Sequence, residues 1–285
     1  KACFGFDSIV GNYASPETPG SAYVLLHHVF GEIDGEKGAW GHAVGGMGSI
    51  TQLMSSVCEE KGVEISTNAA VEKVLIKDNK AKGVMLEDGT QIFADKVISN
   101  LNPKLLFKKL VAENDVDQEY RRKILNYKCG SGTFRMNVAL SELPNFNCLP
   151  GKNISEHHKS GIVIAPSLTY MDQAFTDAKQ YGWSKKPIVE MLIPSTVDST
   201  LAPEGKHVAS LFCQQFAPTL PDNKSWHDEK HNAANTIIET VNYFAPNFKE
   251  SILGMSILSP LDLEEKLGLV GGDIMHGVMS LDQMW

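Results

Sequence analysis

The sequence predicts an α+β (α/β) fold, with a mixed β-sheet flanked by helices. One amphipathic helix, predicted over residues 49–61, precedes three short strands that are separated by turn residues. Beyond residue 103, strand-like and helix-like segments alternate at irregular spacing. Irregular alternation favours a mixed layer of strands and helices over a regular array of βαβ units.

The helix at 49–61 is predicted by the spacing of its apolar residues. They recur every three or four positions, which places them on one helical face. Ser49 and Gln52 form a predicted capping box, in which each side chain bonds the other residue's free backbone N–H. Gly62 supplies the left-handed residue that commonly ends a helix. The apolar positions are Ile50, Leu53, Met54, Val57 and Cys58.

The three strands after this helix form a predicted meander, at 71–77, 81–87 and 90–93. The residues between them, Asp78-Asn79 and Asp88-Gly89, favour turns. Apolar runs at 63–65 and 97–99 precede and follow the meander. We expect these two runs to be neighbouring strands of one sheet, with the meander beside it.

The remainder of the chain carries alternating element signals. A capping box at Ser225 and Asp228 and the later Pro246 delimit the longest predicted helix, 226–244. The other predicted helices are 103–112, 116–126, 168–180 and 261–267, and the predicted strands are 132–140, 160–165, 187–193, 207–216 and 251–258.

Composition excludes several classes of function. The net charge is −8, so the chain has no basic footprint for nucleic acid. Five widely spaced cysteines predict neither a disulfide framework nor a metal site, and favour a reducing compartment such as the cytoplasm, or the mitochondrial matrix in a eukaryote.

The pair His227 and His231 lacks the glutamate of a zinc-protease motif, so we expect no metal there and a solvated helix face, as at His157-His158. No apolar run reaches transmembrane length.

A series of motifs in the first half of the chain resembles a known family. Gly45-Gly46-Met47-Gly48 precedes the predicted helix, Gly62-Val63-Glu64-Ile65 follows it, and Val97-Ile98-Ser99-Asn100 closes the block. This order is similar to the central block of phytoene-desaturase-like flavoproteins, within the wider amine-oxidase and glutathione-reductase-type FAD fold. Further similarity, between Ile193 and Phe212 and in the tail Met279-Ser280-Leu281-Asp282-Gln283, extends the resemblance essentially end to end.

The resemblance implies a division into domains. Residues 43–103 would be part of an FAD-binding lobe, 1–42 with 104–278 a substrate-binding domain, and 279–285 the start of a return to the FAD lobe. The family's GxGxxG loop and C-terminal flavin segment are not found in the sequence, because Gly46-Met47-Gly48-Ser49-Ile50-Thr51 has threonine at the third glycine position. The chain also starts without methionine, and we expect it to be a piece of a longer polypeptide.

The resemblance also implies candidate site residues. Gly45, Gly46 and Met47 would lie at the boundary between cofactor and substrate, although a tight turn before a helix explains them equally well. Val71 matches the position whose backbone bonds the adenine of FAD, and its side chain is otherwise that of an ordinary core residue. Asn100 ends the last strand of the block, where ordinary turn chemistry is the alternative.

Three further residues are candidates for contact with substrate. His276 stands in a loop that in the family leads back toward the flavin, and a histidine there can orient substrate or carry a proton, although surface histidines are commoner. Trp40 and Tyr23 are candidate lining residues of an apolar cavity, with a core role as the alternative. No side chain is required by the resemblance as an essential acid or base.

Two functions from different classes are compatible with these residues. In the first, the intact parent is an FAD-dependent oxidoreductase that transfers hydride from a C–H or C–N bond of a small apolar or amine-type substrate to flavin N5. We expect the present chain not to hold FAD tightly, and the cleft left by FAD to favour a homodimer. In the second, the chain is a non-catalytic interaction module on a flavoprotein scaffold.

Overall fold

The computed structural model describes residues 2–27, 30–39 and 41–283. The chain divides into two compact units, residues 1–50 with 129–285 and residues 51–128. We call the first the sheet unit and the second the meander unit, and we describe each by itself. The assignment of an FAD-binding lobe and a substrate-binding domain to particular residues stays a prediction.

The sheet unit is built on a five-stranded antiparallel sheet. Its strands are β6 Thr133–Leu140, β7 Ile162–Ile164, β8 Trp183–Leu192, β9 His207–Phe216 and β10 Ile252–Leu258, in the spatial order β10-β6-β9-β8-β7. Residues alternate between the two faces because successive side chains of a strand point to opposite sides. A short hairpin, β1 Glu32–Ile33 with β2 Glu36–Lys37, forms a separate two-stranded sheet.

One face of the sheet is covered by helix α7, Trp226–Phe244. Ser225 caps this helix, since its side chain accepts a hydrogen bond from the N–H of His227. The larger hydrophobic core lies here and includes Phe134, whose ring centroid is 4.9 Å from that of Phe216 and 5.8 Å from that of Trp226. The buried helix positions are Trp226, Ala233, Ala234, Ile237, Ile238 and Val241.

The opposite face of the sheet is covered in part by α1 Ala2–Asp7 and α6 Leu168–Tyr181. Phe6 and Ile9 from the N-terminal segment meet Met171, Ile188 and Phe212 in a second, smaller core. The unit is completed by α2 Ala22–His27, α8 Phe248–Ser251 and α9 Pro260–Leu267. The predicted α+β fold is confirmed.

The meander unit contains the three predicted central strands, β3 Val71–Lys77, β4 Lys80–Leu86 and β5 Gln91–Phe93, as one antiparallel sheet. Helix α3, Gly48–Glu60, precedes them and belongs to this unit from Thr51 onward; Gly62, just past its end, has a φ of +76°. Two short helices follow, α4 Pro103–Leu105 and α5 Gln118–Leu125. Residues 106–110 continue α4 as a π-helix, so the helix predicted at 103–112 is present over 103–110, with its second part in the wider π form.

Two predictions in this region are wrong. The runs at 63–65 and 97–99 are not strands, and therefore cannot be neighbours in a sheet. An apolar run becomes a strand only when another strand supplies a ladder of hydrogen bonds, and the described part of the chain offers these runs none. Ile98, the centre of the second run, is 93% exposed. Ser49 lies inside α3 rather than at its cap, and its hydroxyl donates to the carbonyl of Gly46.

Candidate functional site

The turn that leads into α3 is held by a buried carboxylate. Gly45 and Gly46 have φ of +84° and +87°, which only glycine adopts without strain. The N–H of Gly45 donates to Oδ2 of Asp198 over 2.8 Å, and Nε2 of His42 lies 3.2 Å from the same oxygen. Asp198 comes from the loop between β8 and β9, where it caps the single turn Ser199–Leu201. The glycine turn is thereby fixed to the sheet unit.

The hydrogen bonds around Asp198 keep its side chain in the ionised carboxylate form. Its side chain is only 3% exposed, and Oδ1 accepts hydrogen bonds from Oγ1 and N of Thr200 over 2.6 and 3.0 Å. These bonds, together with that from Gly45, hold the pKa of the Asp198 carboxyl well below its usual range. The N–H of Gly46 donates to Ala43 O. Both glycine amides are therefore already used, and the carboxylate would repel a phosphate.

The second element of the site lies on the sheet face opposite α7. It is the part of that face that α1 and α6 leave uncovered. We call it the open sheet face, and its centre is Arg135 on β6. Nη2 of Arg135 donates to Oγ of Ser210 over 3.0 Å, and the guanidinium carbon lies 5.0 Å from the ring centroid of Phe212. The register places Phe212 between Arg135 and Glu190. The other members of this face are Asn137, Val163, Leu192, Val208 and Ser256.

Arg135 is a cation in a partly buried setting. Burial lowers the pKa of its guanidinium, and the carboxylate of Glu190 opposes that shift. An arginine remains charged across the physiological range in spite of such a shift. The open sheet face thus combines an oriented cation, a nearby anion and the exposed apolar side chains of Val163 and Leu192, which can orient a substrate with both polar and apolar parts.

The predicted cofactor-binding residues lie in different places. Gly45, Gly46 and Met47 form the turn on Asp198, in the sheet unit. Val71 is the first residue of β3 and pairs with Leu86, and Asn100 is exposed in the extended segment before α4; both belong to the meander unit. Their cofactor roles stay predictions.

The predicted substrate-contacting residues His276 and Tyr23 lie on different elements of the sheet unit. His276 is exposed, adopts a left-handed φ of +61°, and donates its N–H to Asp273 O over 3.3 Å. Tyr23 is exposed on α2. Trp40 lies outside the described residues. Catalysis by His276 and lining by Tyr23 and Trp40 therefore stay predictions.

Arg135 and Asp198 were missed as site residues, although the sequence contains a signal for each. Arg135 interrupts the apolar strand Thr133–Leu140 at a position whose strand neighbours, Phe134 and Met136, are fully buried. Asp198 precedes Ser199-Thr200 in the manner of a cap, but its distant partner Gly45 cannot be found from local spacing.

The two histidine pairs differ in how far their side chains are exposed. His227 contacts Glu265 through Nε2 over 3.2 Å with both side chains largely exposed, as expected of a solvated face. The solvated reading of His158 is wrong, because that side chain is buried, with Nε2 3.0 Å from Pro144 O and Nδ1 accepting from the N–H of Ser155. The sequence shows a polar segment with Glu156 and Lys159 there, whereas the fold covers the ring. Within the described ranges, no group of three potential ligands gathers for a metal.

The fold and the comparisons place the chain among relatives of flavin-dependent oxidoreductases. Residues 3–133 match the family described as flavin containing amine oxidoreductase. The solved oxidoreductase from Methanosarcina mazei has the same fold over 90% of this chain and 52% of its own, with a TM-score of 0.62 and 18% identity. A putrescine oxidase redesigned in cofactor binding aligns over 89% of this chain and 49% of its own, with a TM-score of 0.50 and 11% identity.

The particular relatives confirm the resemblance to phytoene-desaturase-like proteins. The chain is 38% identical, over all of its length, to half of the pyridine nucleotide-disulfide oxidoreductase domain-containing protein 2 of Rattus norvegicus. It is 24% identical to the lycopene-forming phytoene desaturase of Pseudescherichia vulneris, over 94% of this chain and 51% of that protein. The chain thus spans about half the length of these curated relatives. None of the described helices is both long and apolar enough to cross a membrane.

Proposed function

We propose that this chain provides the substrate-facing part of an FAD-dependent oxidoreductase that removes hydride from a C–H or C–N bond. The observation that carries the proposal is the open sheet face, a partly polar surface centred on Arg135 within a fold shared with such enzymes. The substrate is a small molecule with a substantial apolar part, because Val163, Val208 and Leu192 share that face with the polar residues.

The residues of this chain fit a flavin only in part. Phosphate groups are usually held by free backbone amides at a glycine-rich turn before a helix. Here the amides of Gly45 and Gly46 already donate to Asp198 and Ala43, and the Asp198 carboxylate adds negative charge. The turn can shape the edge of a cofactor site but does not supply its anion-binding amides. We therefore propose that the chain by itself does not hold FAD tightly.

FAD, when bound, supplies the hydride acceptor at N5, and the protein supplies orientation and a water-poor site. Arg135 would orient a polar substituent of the substrate, since Ser210 and Phe212 already fix its guanidinium. Asp198 would keep the glycine turn in place as a positioning residue. Neither needs to gain or lose a proton during the reaction.

The test compares two polypeptides: the 285-residue chain, and a natural longer one that contains it. FAD is added to each, and bound flavin is measured by absorbance after gel filtration. We expect stoichiometric flavin in the longer polypeptide, with bleaching on anaerobic addition of a suitable apolar amine or polyene, and affinity of micromolar or weaker in the chain. Loss of several phosphate hydrogen bonds, each about 1.5–3 kcal/mol, gives this difference. A colourless longer polypeptide would contradict the proposal.

A non-catalytic interaction module is the second candidate, favoured by the apolar side of α3. Leu53 and Met54 are exposed on this helix, although their spacing is that of a core-facing stripe. Such a face is suited to another protein surface, including a second copy of the chain. Light scattering of the chain and of its Leu53→Glu variant separates the cases, because a homodimer through α3 becomes monomeric in the variant. The matched control is Glu59→Gln on the same helix.

A further inference from the structure

A groove of about 670 Å³ lies in the sheet unit, away from the open sheet face. It lies at the sheet edge formed by β8, where β7 pairs only with residues 189–191. Residues 183–187 of β8 therefore have no strand beside them on that edge within the described parts of the chain. The volume is within the range of about 300–1,000 Å³ that is typical of small-molecule sites.

One wall of the groove is aromatic. It consists of Tyr170 from α6 with Tyr243 and Phe244 from α7, and we call it the aromatic wall. Tyr243 is 77% exposed, yet its ring packs edge-to-face on Phe244 with centroids 5.1 Å apart. The hydroxyl of Tyr170 donates to Pro187 O over 3.0 Å, which fixes that ring. Rigid, exposed aromatic rings bind apolar groups at a low cost in conformational entropy.

The lining of the groove also carries an uncompensated positive charge. Lys185 and Lys186, the lysine pair, are both exposed, and neither makes an ion pair with any described residue. The carboxylate of Glu239 also lines the groove, but it is paired with Nζ of Lys249 over 2.6 Å. The two free cations therefore favour an anionic group in the ligand.

The strand edge in the groove does not suit an added peptide strand. Pro187 has no N–H, and its carbonyl already accepts from Tyr170. The N–H of Lys186 donates to Oγ of Ser184 over 3.0 Å. β-Augmentation depends on free main-chain donors and acceptors along an edge, and the two consecutive residues Lys186 and Pro187 lack them in part. The groove thus favours a small molecule over an extended peptide.

We propose that this groove binds a small amphipathic carboxylate of the fatty-acid type, with its chain on the aromatic wall and its carboxylate at the lysine pair. This site is separate from the open sheet face and does not depend on flavin or on turnover. The ligand's carboxylate replaces water at two cations that have no protein partner, and its chain covers the exposed ring of Tyr243.

The first test is calorimetric titration of the 285-residue chain with decanoate and, as the matched cation, decylamine. We expect decanoate to bind with one-to-one stoichiometry and at least about tenfold more tightly than decylamine, since the lysine pair attracts one head group and repels the other. The double variant Lys185→Gln/Lys186→Gln should weaken decanoate binding by about tenfold. Lys206→Gln should leave it unchanged, because this exposed lysine precedes β9 at the end opposite to Phe216, which pairs with Trp183.

The second test removes the aromatic wall without touching charge. Tyr243→Ala should weaken decanoate binding by about fivefold, whereas Tyr181→Ala, at another exposed tyrosine, should not. Circular dichroism checks that each variant retains its fold. Absence of decanoate binding overturns the proposal, and so does binding that the lysine and Tyr243 variants leave unchanged, because the ligand would then occupy another apolar surface.

Discussion

The sheet unit and the meander unit differ in how they are held together. The sheet unit contains both hydrophobic cores, one on each side of its five strands. In the meander unit, Val74 at 7% exposure is the only large apolar side chain that is buried among residues 51–128. Its strands are specified by turn residues and by hydrogen bonds between near neighbours in sequence, and the apolar side of α3 is exposed.

Regular backbone structure and core formation are therefore separate properties of this chain. A three-stranded sheet needs a packed hydrophobic face for stability of its own. The meander unit has the hydrogen bonds without much of that face, so it should open at a lower free energy than the sheet unit. The first two predictions test this contrast with matched pairs of substitutions.

The largest effect is expected for Phe134→Ala in β6. This ring is fully buried between Phe216 and Trp226, so truncation should lower the free energy of unfolding by about 3–5 kcal/mol. Its counterpart in the meander unit is Phe93→Ala, where the ring is 70% exposed and the expected change is within about 0.5 kcal/mol. Urea denaturation followed by far-ultraviolet circular dichroism measures both. Equal losses of unfolding free energy in the two variants would show that the two units are packed equally well.

An intermediate effect is expected for Gly83→Ala in β4. The new Cβ would collide with the carbonyl oxygen of Ile92 and lie 2.9 Å from Cα of Phe93, so β5 must move away. Gly89→Ala is the control, because its φ is also positive but no atom lies within 4 Å of the added carbon. We expect about 1–2 kcal/mol for the control, from backbone conformation alone, and more for Gly83→Ala.

Hydrogen exchange assigns the location of that loss. The amides of β4 and β5 should exchange faster in Gly83→Ala, while those of β6 and β9 keep their protection. Loss of protection throughout both sheets would contradict the separation of the two units.

Local sequence patterns predicted the helices and strands well, but they could not predict contacts between residues far apart in the chain. β9 and α7 were predicted at the bounds that are observed, because alternation, caps and Pro246 act within a few residues. The runs at 63–65 and 97–99 failed because a strand depends on a partner elsewhere in the chain. The same limit applies to the site, since the bond from Gly45 to Asp198 joins residues 153 positions apart. The site's chemistry is therefore visible only once the sheet unit is folded.

The smallest effect is expected on acidification, and it should arise in the sheet unit. Asp198 and Asp262 both have a pKa well below the usual range, Asp198 through its bonds to Thr200 and Gly45, and Asp262 through bonds from Lys266 and Ser259 that outweigh the opposing effect of burial. A carboxyl whose pKa is lower in the folded than in the unfolded chain stabilises the fold above the unfolded value of about 3.9. That stabilisation is lost progressively as the pH falls below it toward the folded pKa.

We therefore expect the thermal midpoint of the chain to change little from neutral pH to about pH 5, and to fall as the pH is lowered past about 4. In Asp198→Asn the midpoint should be lower at neutral pH and should fall less steeply in acid, because one of the two groups no longer takes up a proton on unfolding. Asp222→Asn, in an exposed turn of the same unit, is the matched control and should keep the full acid dependence. Scanning calorimetry between pH 3 and pH 7 measures all three proteins. If the midpoint of Asp198→Asn fell as steeply in acid as that of the parent chain, Asp198 would not be a source of the acid dependence.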